Sequence, residues 1–190
     1  MANASNKTAL LVMDVQGDIV DRLEKKDEYL KSVRAAVDSA HSKQVFVIHI
    51  VVGFRPGFPE VSSNNKSFGA IKESARTGLI DPRPVIAPIE GDVVITKRRV
   101  SAFSGSDLEV VLRAQSIQHL VLTGIATSGV VLSTLREAAD KDYQLSVLSD
   151  LCADFDEAVH SVLIEKVFPR QANVITSKQW VRELEHANTK

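Results

Sequence analysis

Short apolar runs rich in β-branched residues recur along the chain: TALLVMD (8–14), QVFVIHIVV (44–52), DVVITK (92–97), HLVLTG (119–124), QLSVLSD (144–150) and NVITS (173–177). Near-continuous apolar runs of this length mark strands buried on both faces. Between them lie segments of helical period, EYLKSVRAAVDSAHSK (28–43), SDLEVVLRAQ (106–115), VVLSTLREAADK (130–141), FDEAVHSVLIEKV (155–167) and SKQWVRELEHA (177–187). Such alternation predicts an α/β fold, a parallel sheet covered by helices on both faces. Ser106 with Glu109, and Asp154 with Glu157, have the spacing of a capping box and predict two of the helix starts.

One connection breaks the rhythm. Residues 53–91 hold five of the six prolines and several glycines, and a loop this long in a compact domain is usually functional or mobile. The closing LEHANTK (184–190) reads as a fraying end.

Composition narrows the function classes. At 190 residues the chain is expected to form one domain, 1–190, with a full core. The formal net charge of −1 provides no electrostatic footprint for nucleic acid or an anionic membrane, which leaves a small-molecule substrate as the expected partner. The apolar run Ala9–Met13 is too short for a signal-peptide core or a membrane span, so a cytoplasmic protein is expected. A single cysteine, Cys152, excludes an internal disulfide framework and a zinc site of clustered thiolates.

In open parallel sheets the ligand crevice lies beyond the carboxyl ends of the strands. Asp14 closes the first predicted strand, Lys97 the third, and Gly124 to Thr127 follow the fourth. Each has an ordinary alternative as a turn residue, a solvated cation or a plain strand-to-helix connection. Their joint occurrence turns the balance towards a site.

LLVMDVQ, ITKRRVSAF and LTGIATSGVVLSTLREAADKDYQLSVLSD, in that order and spacing, resemble the isochorismatase-like hydrolases over about residues 8–176. The resemblance implies a three-layer, Rossmann-like α/β/α fold with six parallel strands in the order 3-2-1-4-5-6. It implies a catalytic Asp at Asp14 and a Lys at Lys97. The family's usual nucleophilic Cys falls on Val130, so the thiol is missing. A non-proline cis peptide is implied at Ile125–Ala126, with the Ala126 and Val130 amides aimed into the site, and self-association as a homo-oligomer is implied as well. Gln16, His49, Phe54, Arg55, Phe103 and Thr127 are the candidate substrate contacts, with Phe58 a further apolar wall.

Val130 cannot attack a carbonyl. Ser128 and Ser133 near it have no evident histidine base, and Cys152 reads more readily as a buried filler than as a nucleophile. Nicotinamidases of the family use several metal-binding histidines where this chain offers His49 alone, so no metal and no cofactor is expected. The isochorismatase branch includes members without the cysteine, because protonation of a vinyl ether needs one positioned acid and a water. The reading favoured is therefore acid-catalysed vinyl-ether hydrolysis, isochorismate to pyruvate and a dihydroxy-dihydrobenzoate. A C–N amidohydrolase and a catalytically idle ligand-binding or scaffold member stay open beside it.

Overall fold

The computed structural model describes residues 7–74 and 77–187. Six strands, β1 (Thr8–Met13), β2 (Phe46–Val52), β3 (Val93–Lys97), β4 (His119–Ile125), β5 (Gln144–Ala153) and β6 (Asn173–Ile175), form one sheet in the order β3-β2-β1-β4-β5-β6. All five pairings are parallel. The order reverses between β1 and β4, so the connections leaving these two central strands diverge and open a crevice at their carboxyl ends.

Alternate side chains of β1 explain the layers. Ala9, Leu11 and Met13 pack with Leu108, Leu112, Leu135 and Phe168 on one face, whereas Leu10 and Val12 pack with Val33, Val37, Trp180 and Leu184 on the other. The first face is covered by α4 (Leu108–Ala114), α5 (Leu132–Asp140) and the segment after α6 (Glu157–Val162). The second is covered by α2 (Lys26–Ser42) and α7 (Ser177–Ala187). Among the described residues no helix is long and apolar enough to cross a membrane.

Local differences from the expected elements have identifiable causes. α6 is capped by Asp156, whose carboxylate accepts from the Ala158 and Val159 amides at 2.9 and 3.2 Å. Asp154, the expected cap, instead takes the Ser128 amide at 2.6 Å and ties down the turn after β4. At α4 the Ser106 hydroxyl accepts the Leu108 amide at 3.2 Å, but Glu109 turns outward to Arg113 and Lys141. β5 runs past residue 150 because its register against β4 shifts: Leu122 faces Val147, yet Gly124 faces Cys152. That bulge places Cys152 inside the strand rather than in a loop. α7 continues to Ala187 with Leu184 buried, so the fraying expected from residue 184 does not occur there, and residues 188–190 lie outside the described residues.

The long connection is more ordered than its composition suggests. It contains α3 (Lys66–Glu73), capped by the Asn65 side chain, and buries Phe54, Phe58, Val61, Phe68 and Leu79 with Val52 in a satellite core. A further short helix, α1 (Gly17–Val20), follows β1.

Gly124 sits at the crossing of β4 and β1 with φ +140°, and a Cβ there would lie 2.2 Å from the Met13 carbonyl oxygen. Neither atom is at the end of a flexible side chain, so the backbone would have to part. Gly124→Ala is expected to destabilise the fold by roughly 2–5 kcal/mol through strain and overpacking, read as a lower urea midpoint. An unchanged midpoint would show that the two strands separate freely.

Candidate active site

β1 delivers Asp14 to the crevice through a left-handed residue: Asp14 has φ +57° and its amide donates to the Ile50 carbonyl at 2.8 Å. Asp is one of the few residues with a Cβ that enters this region readily. β3 delivers Lys97, the last residue of its strand. The two meet with Lys97 Nζ 3.0 Å from Asp14 Oδ2, at 1% and 5% residue exposure. Lys97 also donates to the Arg99 carbonyl at 2.9 Å, so two of its three N–H donors are engaged. Asp14 Oδ1 is buried and has no hydrogen-bond partner among the described residues.

Two opposing effects act on the Asp14 carboxyl. Burial disfavours its charge and the neighbouring ammonium favours it, and burial wins: the pKa is pushed up from 3.8 to about 6. The result is a carboxyl that keeps its proton up to about pH 6, with one oxygen free of partners among the described residues. These are the properties of a proton donor.

A cavity of about 190 Å³ opens on this pair. The turn after β4 forms one wall with Ile125, Ala126, Gly129 and Val130, and the Ile125–Ala126 peptide is cis. Ile19, Val52, Phe68, Ile71, Leu79 and Val100 make the apolar sides, while Arg22 and Phe155 stand at the rim. The satellite core of the long connection thus supplies much of the wall.

The structure brings together Asp14, Lys97, Ala126 and Val130 and leaves the other candidates outside the cavity lining. Gln16 is a clamp on β2: its amide accepts from the Val52 N–H at 2.8 Å and donates to the Val52 carbonyl at 3.1 Å. His49 lies within β2, fully buried, with Nε2 3.3 Å from Asp92. Burial there lowers its pKa and keeps it neutral. Phe54 points into the satellite core beside Phe58 and Phe68, and Phe103 packs near Tyr143 under α5. Arg55 is exposed and pairs with Glu60. Thr127 is buried, its hydroxyl 2.8 Å from His160 Nδ1. This hydroxyl–imidazole pair has the spacing of a nucleophile and base, but it lies outside the cavity lining.

Cys152 is likewise absent from the cavity. It is 5% exposed in the core, its Sγ facing the Leu122 carbonyl, and burial pushes its pKa far above the ordinary thiol range. A thiol that cannot ionise is a packing group. Among the described residues no three His, Cys, Asp or Glu side chains converge to hold a metal.

Arg22 and Phe68 escape the sequence reading because they come from a loop and a short helix whose course no periodicity sets, and Phe155, read as the start of a helix, instead lies ahead of α6. A signal was available for one of them: Phe155 follows the carboxyl end of β5 by two residues, on the side where the crevice opens.

A profile described as the Isochorismatase domain matches residues 8–179, and the chain belongs to this family. It is 29% identical over 180 residues to YwoC of Bacillus subtilis (strain 168), an uncharacterized isochorismatase family protein, with 94% of each chain covered. It is 31% identical over 179 residues to the ureidoacrylate amidohydrolase RutB of Stutzerimonas stutzeri (strain A1501), covering 79% of this chain and 71% of that one. Its fold is shared with a cysteine hydrolase from Pseudomonas syringae pv. phaseolicola 1448A, at a TM-score of 0.85 and 21% identity over 96% of this chain and 94% of the other.

The raised Asp14 pKa has a thermodynamic counterpart. The folded carboxyl binds its proton more tightly than the unfolded one, so its contribution to stability is full below about pH 4 and is lost as pH rises through about 6. The loss amounts to about 3 kcal/mol. Urea unfolding at a series of pH values is expected to show this limb in the parent and not in Asp14→Asn. An identical limb in both proteins would remove Asp14 as its source.

Proposed function

We propose that the chain hydrolyses a vinyl ether in a small cyclic anionic substrate by general-acid catalysis without a thiol, with isochorismate as the substrate to test first. The observation that carries this reading is the pairing of an absent nucleophile with a present acid. Val130 stands where the family places its cysteine, while Asp14 keeps a buried, unpartnered Oδ1 and a pKa of about 6.

Asp14 donates its proton to the terminal methylene carbon of the enolpyruvyl group, and the ether oxygen stabilises the resulting oxocarbenium ion. Water adds to the carbon that bears the ether oxygen and passes a proton to Asp14, which restores the acid. The hemiketal then collapses, its hydroxyl proton passing to the ring oxygen as the bond to that oxygen breaks, and releases pyruvate and the ring diol. Lys97 holds the carboxylate next to the reacting carbon. The apolar walls limit water to what the reaction consumes and strengthen the charge interactions within.

A second reading, C–N hydrolysis, is favoured by the likeness to RutB, a ureidoacrylate amidohydrolase. Covalent catalysis would then need a nucleophile that neither Val130 nor the buried Cys152 supplies. Water attacking an amide directly, with Asp14 as base, is the form this reading would take.

Incubation with isochorismate, ureidoacrylate, nicotinamide and N-carbamoylsarcosine, followed by product analysis, separates the readings. Pyruvate from isochorismate is expected; ammonia or carbamate products in its place would install the amidohydrolase, and no turnover of any would leave a binding protein. For the acid mechanism, kcat/KM is expected to fall with rising pH above about 6, since the active form is the protonated one. Asp14→Asn is expected to lower turnover by about 10² to 10⁴, whereas Cys152→Ala leaves it nearly unchanged. A fully active Asn variant dismisses Asp14, and inactivity of a well-folded Cys152→Ala protein dismisses the thiol-free route.

A further inference from the structure

We infer that Arg22, held against Phe155 at the rim of the catalytic cavity, is the residue that selects a carboxylated substrate by binding the carboxylate farther from the reacting carbon. The inference rests on the cavity being the substrate site of the proposed reaction.

Four observations converge on Arg22. It lines the cavity that contains Asp14 and Lys97, and it also lines an adjoining open hollow of about 600 Å³ that Phe155 shares, so the two residues form the partition between them. Its guanidinium carbon lies 3.6 Å from the Phe155 ring centroid, a cation–π contact that fixes direction without neutralising charge. Among the described residues it forms no ion pair, although Glu24, Glu28, Asp154 and Glu157 all border the same hollow. The fourth observation concerns charge inside the cavity. Lys97 is committed to Asp14 at 3.0 Å, and among the lining residues Arg22 is the other cation. With Lys97 engaged at the floor, the cation available to a second carboxylate at the rim is this guanidinium.

Exposure orders the residues from floor to rim. Asp14 and Lys97 are 5% and 1% exposed, whereas Phe155 is 43% exposed and Arg22 is exposed. A substrate that places its reacting carbon over Asp14 therefore leaves its opposite end at Arg22. The platform is firm, because the residues flanking Phe155 are both engaged: Asp154 accepts the Ser128 amide and Asp156 caps α6. A guanidinium whose planar face rests on a ring still presents its N–H edge, the geometry that grips a carboxylate with two hydrogen bonds. There is a catalytic benefit in the separation. A carboxylate held at the rim keeps its charge away from the carbon where cation character develops, leaving Lys97 to serve the reacting end.

The inference predicts discrimination by charge that is independent of turnover. Benzoate and benzamide have the same ring and nearly the same shape, and they differ in the charge that Arg22 would read. Calorimetric titration of the full chain is expected to show benzoate binding at least tenfold more tightly than benzamide. In Arg22→Gln the benzoate affinity is expected to drop by about 10- to 100-fold, the worth of charge-assisted hydrogen bonds, with benzamide unaffected. Arg22→Lys should restore part of the preference. On isochorismate, Arg22→Gln is expected to raise KM far more than it lowers kcat. Equal binding of the two probes by the parent, no binding of benzoate, or a preference that survives Arg22→Gln would each overturn the inference. The outcomes remain distinct from those of the proposed reaction: charge discrimination without isochorismate turnover removes the reaction alone, and turnover without discrimination removes Arg22 alone.

Discussion

The buried ion pair between Asp14 and Lys97 is the constraint on which the arrangement of the site depends. Two charges taken out of water are costly unless each finds its counterpart with good geometry, and here the counterparts come from strands that are not adjacent. β2 lies between β1 and β3, so the pair forms only if all three strands end at the same height. Gln16 enforces that condition by clamping both backbone groups of Val52 at the end of β2. Parallel strand order, a polar clamp and the ion pair are thus one device for bringing a carboxyl and an ammonium to the same buried point.

Burial then decides what the pair can do. In a solvated ion pair the ammonium would hold the carboxylate ionised; in this dry site desolvation outweighs it and the carboxyl keeps its proton to about pH 6. Val130, in the wall of the same cavity, acts in the same direction by presenting apolar surface and no group that would ionise or accept hydrogen bonds.

How much of this was legible in the sequence follows from where each residue sits. Asp14 and Lys97 close strands, and strands announce themselves by apolar runs, so both could be placed and assigned to one edge of the sheet. Strand order and the cis bond came from the family resemblance rather than from periodicity. Arg55 and Phe54 were plausible cavity residues because they share a proline-rich loop beside the crevice. The loop folds on itself, however, turning Phe54 inward and leaving Arg55 with Glu60. Cys152 looked like a loop residue because the bulge that extends β5 has no sequence signature. Arg22 and Phe155 meet across more than a hundred residues of chain, and tertiary contacts between two irregular segments are what single-sequence reasoning reads least well.

The wall of the cavity built by Phe68 and Leu79 belongs to a small cluster that is separate from the two large cores flanking the sheet. Segments with their own modest apolar cluster open at a lower free energy than the sheet they lean on. The enclosure that keeps Asp14 dry on this side is therefore held together by a few phenylalanines and their neighbours rather than by the sheet.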